Sequence, residues 1–393
     1  MAFSSRHRVI VMSSDYSLTN EQNMVRDTVR RMAQEKIAPL AAEVDDTGVF
    51  PTAITDQFKE LGLFGLAFPE SYGGSDMGIL SSALVLEEIG RVCSSSAIVC
   101  AAPIITGRLI LEYGGDDQKN SFLPRIVSGD LTATIALFET DAGSDPEKIS
   151  AYAEKTGKQY IINGRKGLVD LADKAGLIIV FARAKNSGVN KGISAFLIEK
   201  DTASWAIERT VEKMGATAVH ACDLAFEDCP VPEKGRLGEE GSGREIAVRA
   251  SGLNCILTAA RGLGIAQAAL DYSLNYTQER VQFGRPISSF QGIQFMLADM
   301  ATLVETGRCL VYKACAEVDR GQAEGYYLGA MAKCFVSDVA MKVSTDAIQL
   351  LGGYGYMKDH PVERMMRDAK LTQLAEGTNY TQHVLLAEGL FDL

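Results

Sequence analysis

Apolar and polar positions along this chain change their periodicity twice. Between residues 18 and 130, apolar residues recur at helical spacing, and Ser17 or Thr19 with Glu21 or Gln22 supplies helix-capping chemistry. Between about 131 and 235, the pattern becomes six short β-rich runs separated by Gly, Asn and Asp turns. From 245 to 393, four long helical patterns with short connections predict a bundle. The predicted fold class is therefore α+β, with a helical N-terminal domain, a small central β-barrel or sandwich and a C-terminal four-helix bundle.

The domain boundaries are predicted where this periodicity changes. Residues 1–17 are expected to form an N-terminal extension, 18–130 the helical domain, 131–240 the β-domain and 241–393 the bundle. The Gly-rich stretch RLGEEGSGRE separates the last two domains. Since the β-domain has neither βαβ alternation nor a GxGxxG motif, a Rossmann nucleotide site is not expected.

Composition narrows the choice of partners. The chain has 393 residues, of which 47% are hydrophobic and 23% charged, and these values are typical of a soluble protein with two or three domains. A net charge of −11 argues against nucleic acid or an anionic membrane as the main partner, so any phosphate site must be built locally. The eight cysteines include no CxxC pair, and with four histidines they lack zinc-ligand spacing. We therefore expect a cytoplasmic protein with buried thiols and no metal or membrane segment.

The most informative stretch runs from Gln349 to Gln382. A Gly-rich turn at 352–355 breaks two helical patterns, and a Gly-Thr turn at 377–378 directly follows Glu376. Glycine permits positive φ and the close approach of a flat ligand. Because Glu376 follows apolar residues, desolvation there would raise its pKa towards the range of a general base. These residues alone are equally compatible with two helix C-caps and a solvated glutamate.

Two further motifs are compatible with phosphate binding. The sequence ETDAGSD, residues 139–145, offers backbone N–H groups and a hydroxyl, although turns of this composition are common. The sequence ERVQFGRPISSFQGIQ, residues 279–294, carries guanidinium groups that suit bidentate contact with a diphosphate. The alternative for the second motif is a helix break at 284–286 with solvated charges.

Together, LGGYGY, PVERMMRDAK and EGTN resemble the C-terminal signature of the acyl-CoA dehydrogenase family, and the resemblance extends from about Leu18 to the C-terminus. It implies that Glu376 abstracts the α-proton of an acyl-CoA thioester while a hydride leaves the β-carbon for FAD, giving a 2-enoyl-CoA. It further implies a homotetramer and an electron transfer flavoprotein as the electron acceptor.

The resemblance also implies which residues bind FAD and substrate. Arg280, Phe283 and Gln291 match family positions that hold the FAD diphosphate and adenine across a subunit interface. The full set implied for FAD is Leu137, Phe138, Asp170, Arg280, Phe283, Gln291, Gln349, Gly353 and Thr378. The set implied for the substrate is Ala97, Ser144, Ala375 and Gly377.

Several positions near the flavin depart from the family pattern. Phe138 replaces a hydroxyl residue, and Leu168 and Asp170 stand where an aromatic residue and a Thr or Ser are usual. Two arrangements of Asp170 are open. It points into solvent, paired with Lys166 or Lys174, or it lies against the flavin, where a carboxylate opposes the charge that hydride transfer brings.

These departures leave two alternative functions open. One is a flavin-poor homologue that uses Glu376 for non-redox chemistry on a CoA thioester, and the other is an accessory, non-catalytic subunit of a hetero-oligomeric dehydrogenase. On the substrate side, Ala375 replaces the Tyr of many members, which widens the acyl cavity. Ala97 matches the Arg of glutaryl-specific members, so a glutaryl substrate is not expected.

Overall fold

A computed structural model describes residues 18–143, 148–186, 189–200, 205–375 and 377–391. The described chain begins with six α-helices. Thr19 Oγ1 accepts the N–H of Gln22 at 3.2 Å, and Gln22 Oε1 accepts the N–H of Thr19 at 3.0 Å. This reciprocal capping starts the first helix where the sequence predicts it. The six are α1 (Asn20–Met32), α2 (Ala41–Thr47), α3 (Thr52–Glu60), α4 (Gly78–Gly90), α5 (Ser94–Tyr113) and α6 (Asp116–Val127).

Helix α5 connects the helical domain to the β-domain. It packs against the first strand of the sheet, and its Val99 lies in a small apolar cluster with Leu171 and Val219. Among the described helices, α5 and α7 (Gly243–Glu279) are long and apolar enough to cross a membrane by length and composition. Within the fold, 72% of the most apolar 18-residue stretch of α5 and 83% of that of α7 are buried. Both helices therefore place their apolar surfaces in the protein core.

The central domain is a single eight-stranded sheet in the order β6-β7-β3-β2-β4-β5-β8, with β1 pairing parallel to β4. Its strands are β1 (Ala133–Ala136), β2 (Tyr152–Thr156), β3 (Gln159–Asp170), β4 (Leu177–Asn186), β5 (Val189–Glu199), β6 (Ala206–Val211), β7 (Ala221–Pro232) and β8 (Arg236–Leu237). The prediction of a β-rich central domain is confirmed.

Two strands, β2 and β8, are absent from the predicted set. In β2, Ala153 is the one residue of YAEKT that is fully buried, so the apolar alternation is too weak to predict a strand. Strand β8 has two residues. Strand β3 also extends beyond the predicted QYIING run, through an irregular register between Lys166 and Val169. That irregularity lies next to Leu168 and Asp170, the positions that the family resemblance predicts to face the flavin.

The C-terminal domain is helical, as predicted, but its described part has five α-helices rather than four, because the final predicted segment forms two helices. It consists of α7, α8 (Gln291–Asp319), α9 (Glu324–Leu351), α10 (Val362–Leu374) and α11 (Asn379–Phe391). Helices α7, α8 and α9 pack on one another, and α4 packs on α7. This last crossing needs a glycine, because a Cβ at Gly264 would collide with the carbonyl oxygen of Glu87.

Buried polar contacts fix α10 to the β-domain. Asp368 is buried and accepts the N–H of Ala216 at 2.6 Å, and burial raises the pKa of this carboxyl to about 6. Beside it, Arg367 forms a salt bridge with Asp45 of α2 at 2.6 Å and donates to the carbonyl of Met214 at 2.9 Å. The three domains therefore meet at α10, the helix that leads into the turn containing Glu376.

Candidate functional site

A groove of about 540 Å³ lies where the end of α7 meets the end of α9. Arg280, Gln349 and Gly353, which the sequence predicts as FAD-binding residues, all line it, together with Gln282 and Tyr354. Gly352 has φ +62°, and a Cβ added at Gly353 would meet no atom within 4 Å. The backbone of this turn is therefore open to a ligand.

The chemistry of this groove fits the ADP half of FAD. A guanidinium, two side-chain amides and an open glycine backbone can supply donors to a diphosphate and to ribose hydroxyls. The Arg280 guanidinium lies 5.4 Å from the centre of the Tyr354 ring, a cation–π contact that orients it. Tyr354 is a functional candidate that the sequence analysis missed, although it lies within the LGGYGY motif.

Phe283 and Gln291 lie beside the groove and are not among its described lining residues. Phe283 occupies the tip of a two-stranded hairpin, β9 (Val281–Gln282) and β10 (Arg285–Pro286). Both turn residues have positive φ, +53° for Phe283 and +79° for Gly284, as a two-residue hairpin turn requires. The Phe283 side chain is 92% exposed. Gln291 is the first residue of α8 and is also exposed.

A buried ion pair organises the second group of predicted residues. Lys166 Nζ lies 2.7 Å from Glu139 Oε1, with side-chain exposures of 0% and 6%. The same ammonium donates to the carbonyl of Leu137 at 3.1 Å. Glu139 also accepts the Ser150 N–H and hydroxyl, both at 2.7 Å, and the Ala151 N–H at 3.1 Å. This network holds the 137–139 segment against β3.

For each member of this ion pair, burial and the charge of the partner shift the pKa in opposite directions. Burial lowers the pKa of the Lys166 ammonium to about 8, against the opposing pull of Glu139. The pKa of Glu139 lies below its ordinary value, because attraction to Lys166 and the hydrogen bonds from Lys166 and Ser150 outweigh its burial. From the sequence alone, Glu139 is identified only as the first residue of the 139–145 motif. Its pairing with Lys166 is a tertiary contact that the sequence analysis missed.

Leu168 and Phe138 are brought close together at this network. The N–H of Gly167 donates to the carbonyl of Phe138 at 3.0 Å, and the N–H of Leu168 donates to Asp223 Oδ1 at 3.1 Å. Leu168 has φ +55° and a side chain that is 62% exposed. The strained backbone turns this side chain out of the sheet, at the position where the family resemblance implies an aromatic cover for the flavin.

The expected pairing of Asp170 with Lys166 or Lys174 is wrong. Asp170 Oδ1 lies 3.2 Å from Lys213 Nζ, with side-chain exposures of 28% and 13%. Lys166 binds Glu139, and Lys174 Nζ lies 3.8 Å from Asp173. The carboxylate of Asp170 therefore has a partly buried cation as its partner, which compensates its charge.

The third group surrounds the turn between α10 and α11. Glu376 lies outside the described residues, as does Ser144. On one side Ala375 is extended, with φ −68° and ψ 160°, and on the other Gly377 has φ +78°. Thr378 Oγ1 accepts the N–H of Thr381 at 3.3 Å, in the first turn of α11.

Buried Lys333 on α9 is a further residue that the sequence analysis missed. Its ammonium donates to the carbonyls of Gln373 at 3.3 Å and Gly377 at 2.8 Å, and to Asn379 Oδ1 at 2.9 Å. The sequence contains one indication of its burial, a single lysine within the run AMAKCFVSDVA, whose residues are mostly small or apolar.

Ala97, the remaining predicted substrate residue, is fully buried in the first turn of α5. Helix α5 contacts the segment that follows β3 through Val99 and Leu171. Among the described residues, no group of three or more His, Cys, Asp or Glu side chains is placed to hold a metal ion.

Three family models match the chain. They are those for the acyl-CoA dehydrogenase N-terminal domain over residues 19–130, the middle domain over 134–229 and the C-terminal domain over 241–391. A cyclohex-1-ene-1-carbonyl-CoA dehydrogenase of Geobacter metallireducens is 42% identical over 375 residues, which cover 95% of this chain and 98% of that protein.

Two solved structures are closely similar to the fold. Butyryl-CoA dehydrogenase from Megasphaera elsdenii is 37% identical with a TM-score of 0.93, covering 96% of this chain and 100% of that one. A chain from a structure described as the electron transferring flavoprotein of Acidaminococcus fermentans is 39% identical with a TM-score of 0.92, covering 96% and 99%.

Proposed function

The chain belongs to the acyl-CoA dehydrogenase family, whose reaction is FAD-dependent dehydrogenation, and we propose that Glu376 is its catalytic base. The protein is an oxidoreductase that uses FAD. The observation that carries the assignment of its FAD site is the groove in which Arg280, Gln349 and Gly353 meet. Arg280 would hold the diphosphate, while Gln349 and the open backbone at Gly353 would bind the rest of the ADP half.

In the proposed mechanism, Glu376 takes the α-proton of the acyl-CoA thioester. Bound FAD supplies a hydride acceptor for the β-carbon. The product is a 2-enoyl-CoA, and the proton remains on the Glu376 carboxyl until it passes to solvent. Ala375 and Gly377, next to the base in the sequence, carry at most a methyl group, which would leave room for the acyl group. Thr378 and the 137–139 segment would bind the flavin.

The charge balance near β3 supports a redox role over the flavin-poor alternative. An unpaired carboxylate at residue 170 would oppose the negative charge that arrives with a hydride. Lys213, 3.2 Å from Asp170, compensates that carboxylate. In addition, Lys166 and Glu139 form a pair with little net charge. The substitutions at Leu168 and Asp170 are therefore compatible with flavin chemistry.

The remaining parts of the proposal concern assembly, partners and location. We propose a homotetramer, because large apolar side chains are exposed beside the FAD groove, including Phe283 at 92% and Tyr356 at 80%. A second subunit would cover them and reach the adenine. An electron transfer flavoprotein would reoxidise the enzyme. The eight scattered cysteines without a CxxC pair support a cytoplasmic location, and the net charge of −11 argues against nucleic acid or anionic membrane partners.

The proposed function is tested by the colour of the purified protein and its response to substrate. We expect an absorbance band at about 450 nm that bleaches under anaerobic conditions with a saturated acyl-CoA. Butyryl-CoA and a cyclic carboxyl-CoA are suitable substrates, because the related proteins are named for such thioesters. A protein that stays colourless after reconstitution with FAD would contradict this function and favour the flavin-poor or accessory alternative.

Replacement of Arg280 tests the groove. Arg280→Ala removes a charge-assisted, bidentate contact to the diphosphate, so FAD affinity should fall by about 2–3 kcal/mol, or roughly 30- to 150-fold. Flavin content after gel filtration and titration of the apoprotein with FAD measure this effect. Arg320→Ala, which removes an exposed ion pair with Glu317 on α8, is the matched control and should retain wild-type flavin content. Full flavin in Arg280→Ala would show that the groove is not the diphosphate site.

A further inference from the structure

Lys333 is a buried cation with an unusual set of partners. Its relative exposure is 0%, and it belongs to α9, on the side of that helix packed against α10 and α11. A buried ammonium is stable only when its N–H groups are satisfied, because the cost of desolvating a charge is large. Here it donates to the carbonyls of Gln373 and Gly377 and to the side chain of Asn379.

These partners lie on both sides of the proposed base in the sequence. Gln373 belongs to the last turn of α10, and Gly377 is bonded directly to residue 376. Asn379 is the first residue of α11. One ammonium therefore joins the end of one helix, the turn and the start of the next helix. Two carbonyls near the C-terminal end of α10 and in the turn also provide the partial negative charge that favours a cation there.

Neighbouring residues of α9 strengthen this connection. Asn379 Nδ2 donates to Ser337 Oγ at 2.8 Å and to Asp338 Oδ1 at 3.1 Å. Gln373 Nε2 donates to the same Asp338 oxygen at 2.6 Å. Lys333, Ser337 and Asp338 thus form one face of α9 that holds the turn at two points. The turn is fixed by side chains of α9 as well as by its own backbone.

We propose that Lys333 is a positioning residue for the catalytic base, an inference that rests on the proposed function of Glu376. A base must hold its carboxylate within hydrogen-bond reach of the α-carbon proton. The residues that precede and follow Glu376 in the sequence are Ala375, which is extended, and Gly377, which has φ +78°. The ammonium of Lys333 binds a carbonyl on each side of Glu376 in the sequence, those of Gln373 and Gly377, and so orders the described part of the turn before substrate binds.

The experiment compares Lys333→Met, Lys333→Arg and a control, Lys342→Met. Methionine keeps the length and apolar body of lysine but removes its donors and charge, whereas arginine keeps both. Lys342 lies on the same helix in an exposed pair with Asp346, so its replacement should change nothing. For each variant we would measure flavin content, the dissociation constant of a redox-inert CoA thioether, and the rate of flavin bleaching at saturating acyl-CoA. Hydrogen exchange of the peptide containing 373–379 reports the order of the turn.

For Lys333→Met we expect the bleaching rate to fall by at least about 100-fold. Flavin content and thioether affinity should stay within about threefold, a change of less than ~0.7 kcal/mol. Hydrogen exchange of the 373–379 peptide should become faster. Lys333→Arg should bleach at least about tenfold faster than Lys333→Met. A general loss of fold would lower flavin content, affinity and rate together and would contradict the proposal, as would a bleaching rate close to that of the wild type.

If Lys333→Met does not accumulate as folded protein, Asn379→Ser takes its place. This change removes one acceptor of the ammonium and leaves Lys333 with its two carbonyls. A selective fall in bleaching rate of at least about tenfold supports the proposal, and an unchanged rate overturns it. Glu376→Gln, measured in parallel, separates the hypothesis that Glu376 is the base from the hypothesis that Lys333 positions it. If Glu376→Gln remains active, the assigned base is wrong. If it is inactive while the Lys333 and Asn379 variants bleach normally, the base is right and the positioning role is wrong.

Discussion

Replacing Glu376 with Gln should abolish substrate-driven flavin bleaching while the protein stays folded, yellow and able to bind a CoA ester. An amide of the same shape cannot accept the α-proton, and the loss of a positioned base costs roughly 10²- to 10⁴-fold. Flavin content, thermal midpoint and affinity for a thioether analogue should all remain near wild-type values, because the substitution changes one oxygen to an amide nitrogen.

The matched control is Glu388→Gln, an exposed carboxylate on α11, which should bleach at the wild-type rate. Retention of more than about a tenth of the bleaching rate in Glu376→Gln, or a barrier increase under ~1.4 kcal/mol, would move the role to another carboxylate. A Glu376→Gln protein that loses its flavin would indicate instead that this side chain supports the fold of the turn.

Parts of the site were predictable because their residues lie close together in the sequence. Most residues that line the FAD groove belong to two contiguous motifs, at 279–294 and 349–355, and local motifs of this kind can be recognised without a structure. The order of helical, β and helical domains follows from the periodicity of apolar residues in the same way. Strand β2 was missed because the sequence YAEKT has too few apolar positions to show a period of two.

The ion pairs of the site were not predictable, because their partners are distant in sequence. Glu139 and Lys166 are 27 residues apart, and Lys333 lies 44 residues from Gly377. Asp170 has two lysines within four residues in the sequence, but the structure places Lys213, 43 residues away, beside it. An irregular register between Lys166 and Val169, with Leu168 at φ +55°, interrupts the regular alternation of β3. Lys166 consequently enters the core while Asp170 faces Lys213.

Replacing Lys166 with Met should destabilise the protein by about 3–5 kcal/mol, because it leaves the buried carboxylate of Glu139 without its cation. The affected segments are 137–139 and 166–170, so loss of flavin should accompany the loss of stability. Lys155→Met is the matched control. It removes the same side chain type from the neighbouring strand β2, where the pair with Glu233 is exposed and worth at most about 1 kcal/mol. Urea midpoints and flavin content of the two variants give the comparison.

The double variant Glu139→Gln/Lys166→Met distinguishes an unpaired charge from lost packing. Removing both charges should recover part of the stability lost in Lys166→Met, since the amide oxygen of the introduced glutamine still accepts the N–H of Ser150, although the N–H of Ala151 loses its acceptor. In Lys166→Met alone, the pKa of Glu139 should rise, because burial is then opposed only by the hydrogen bonds from Ser150 and Ala151. In the wild type, the lowered pKa of Glu139 contributes stability that is present at neutral pH and lost as pH falls, so the deficit of Lys166→Met should be greater at about pH 7 than at about pH 5. Equal deficits at both pH values, with no recovery in the double variant, would show that Lys166 acts through packing rather than charge.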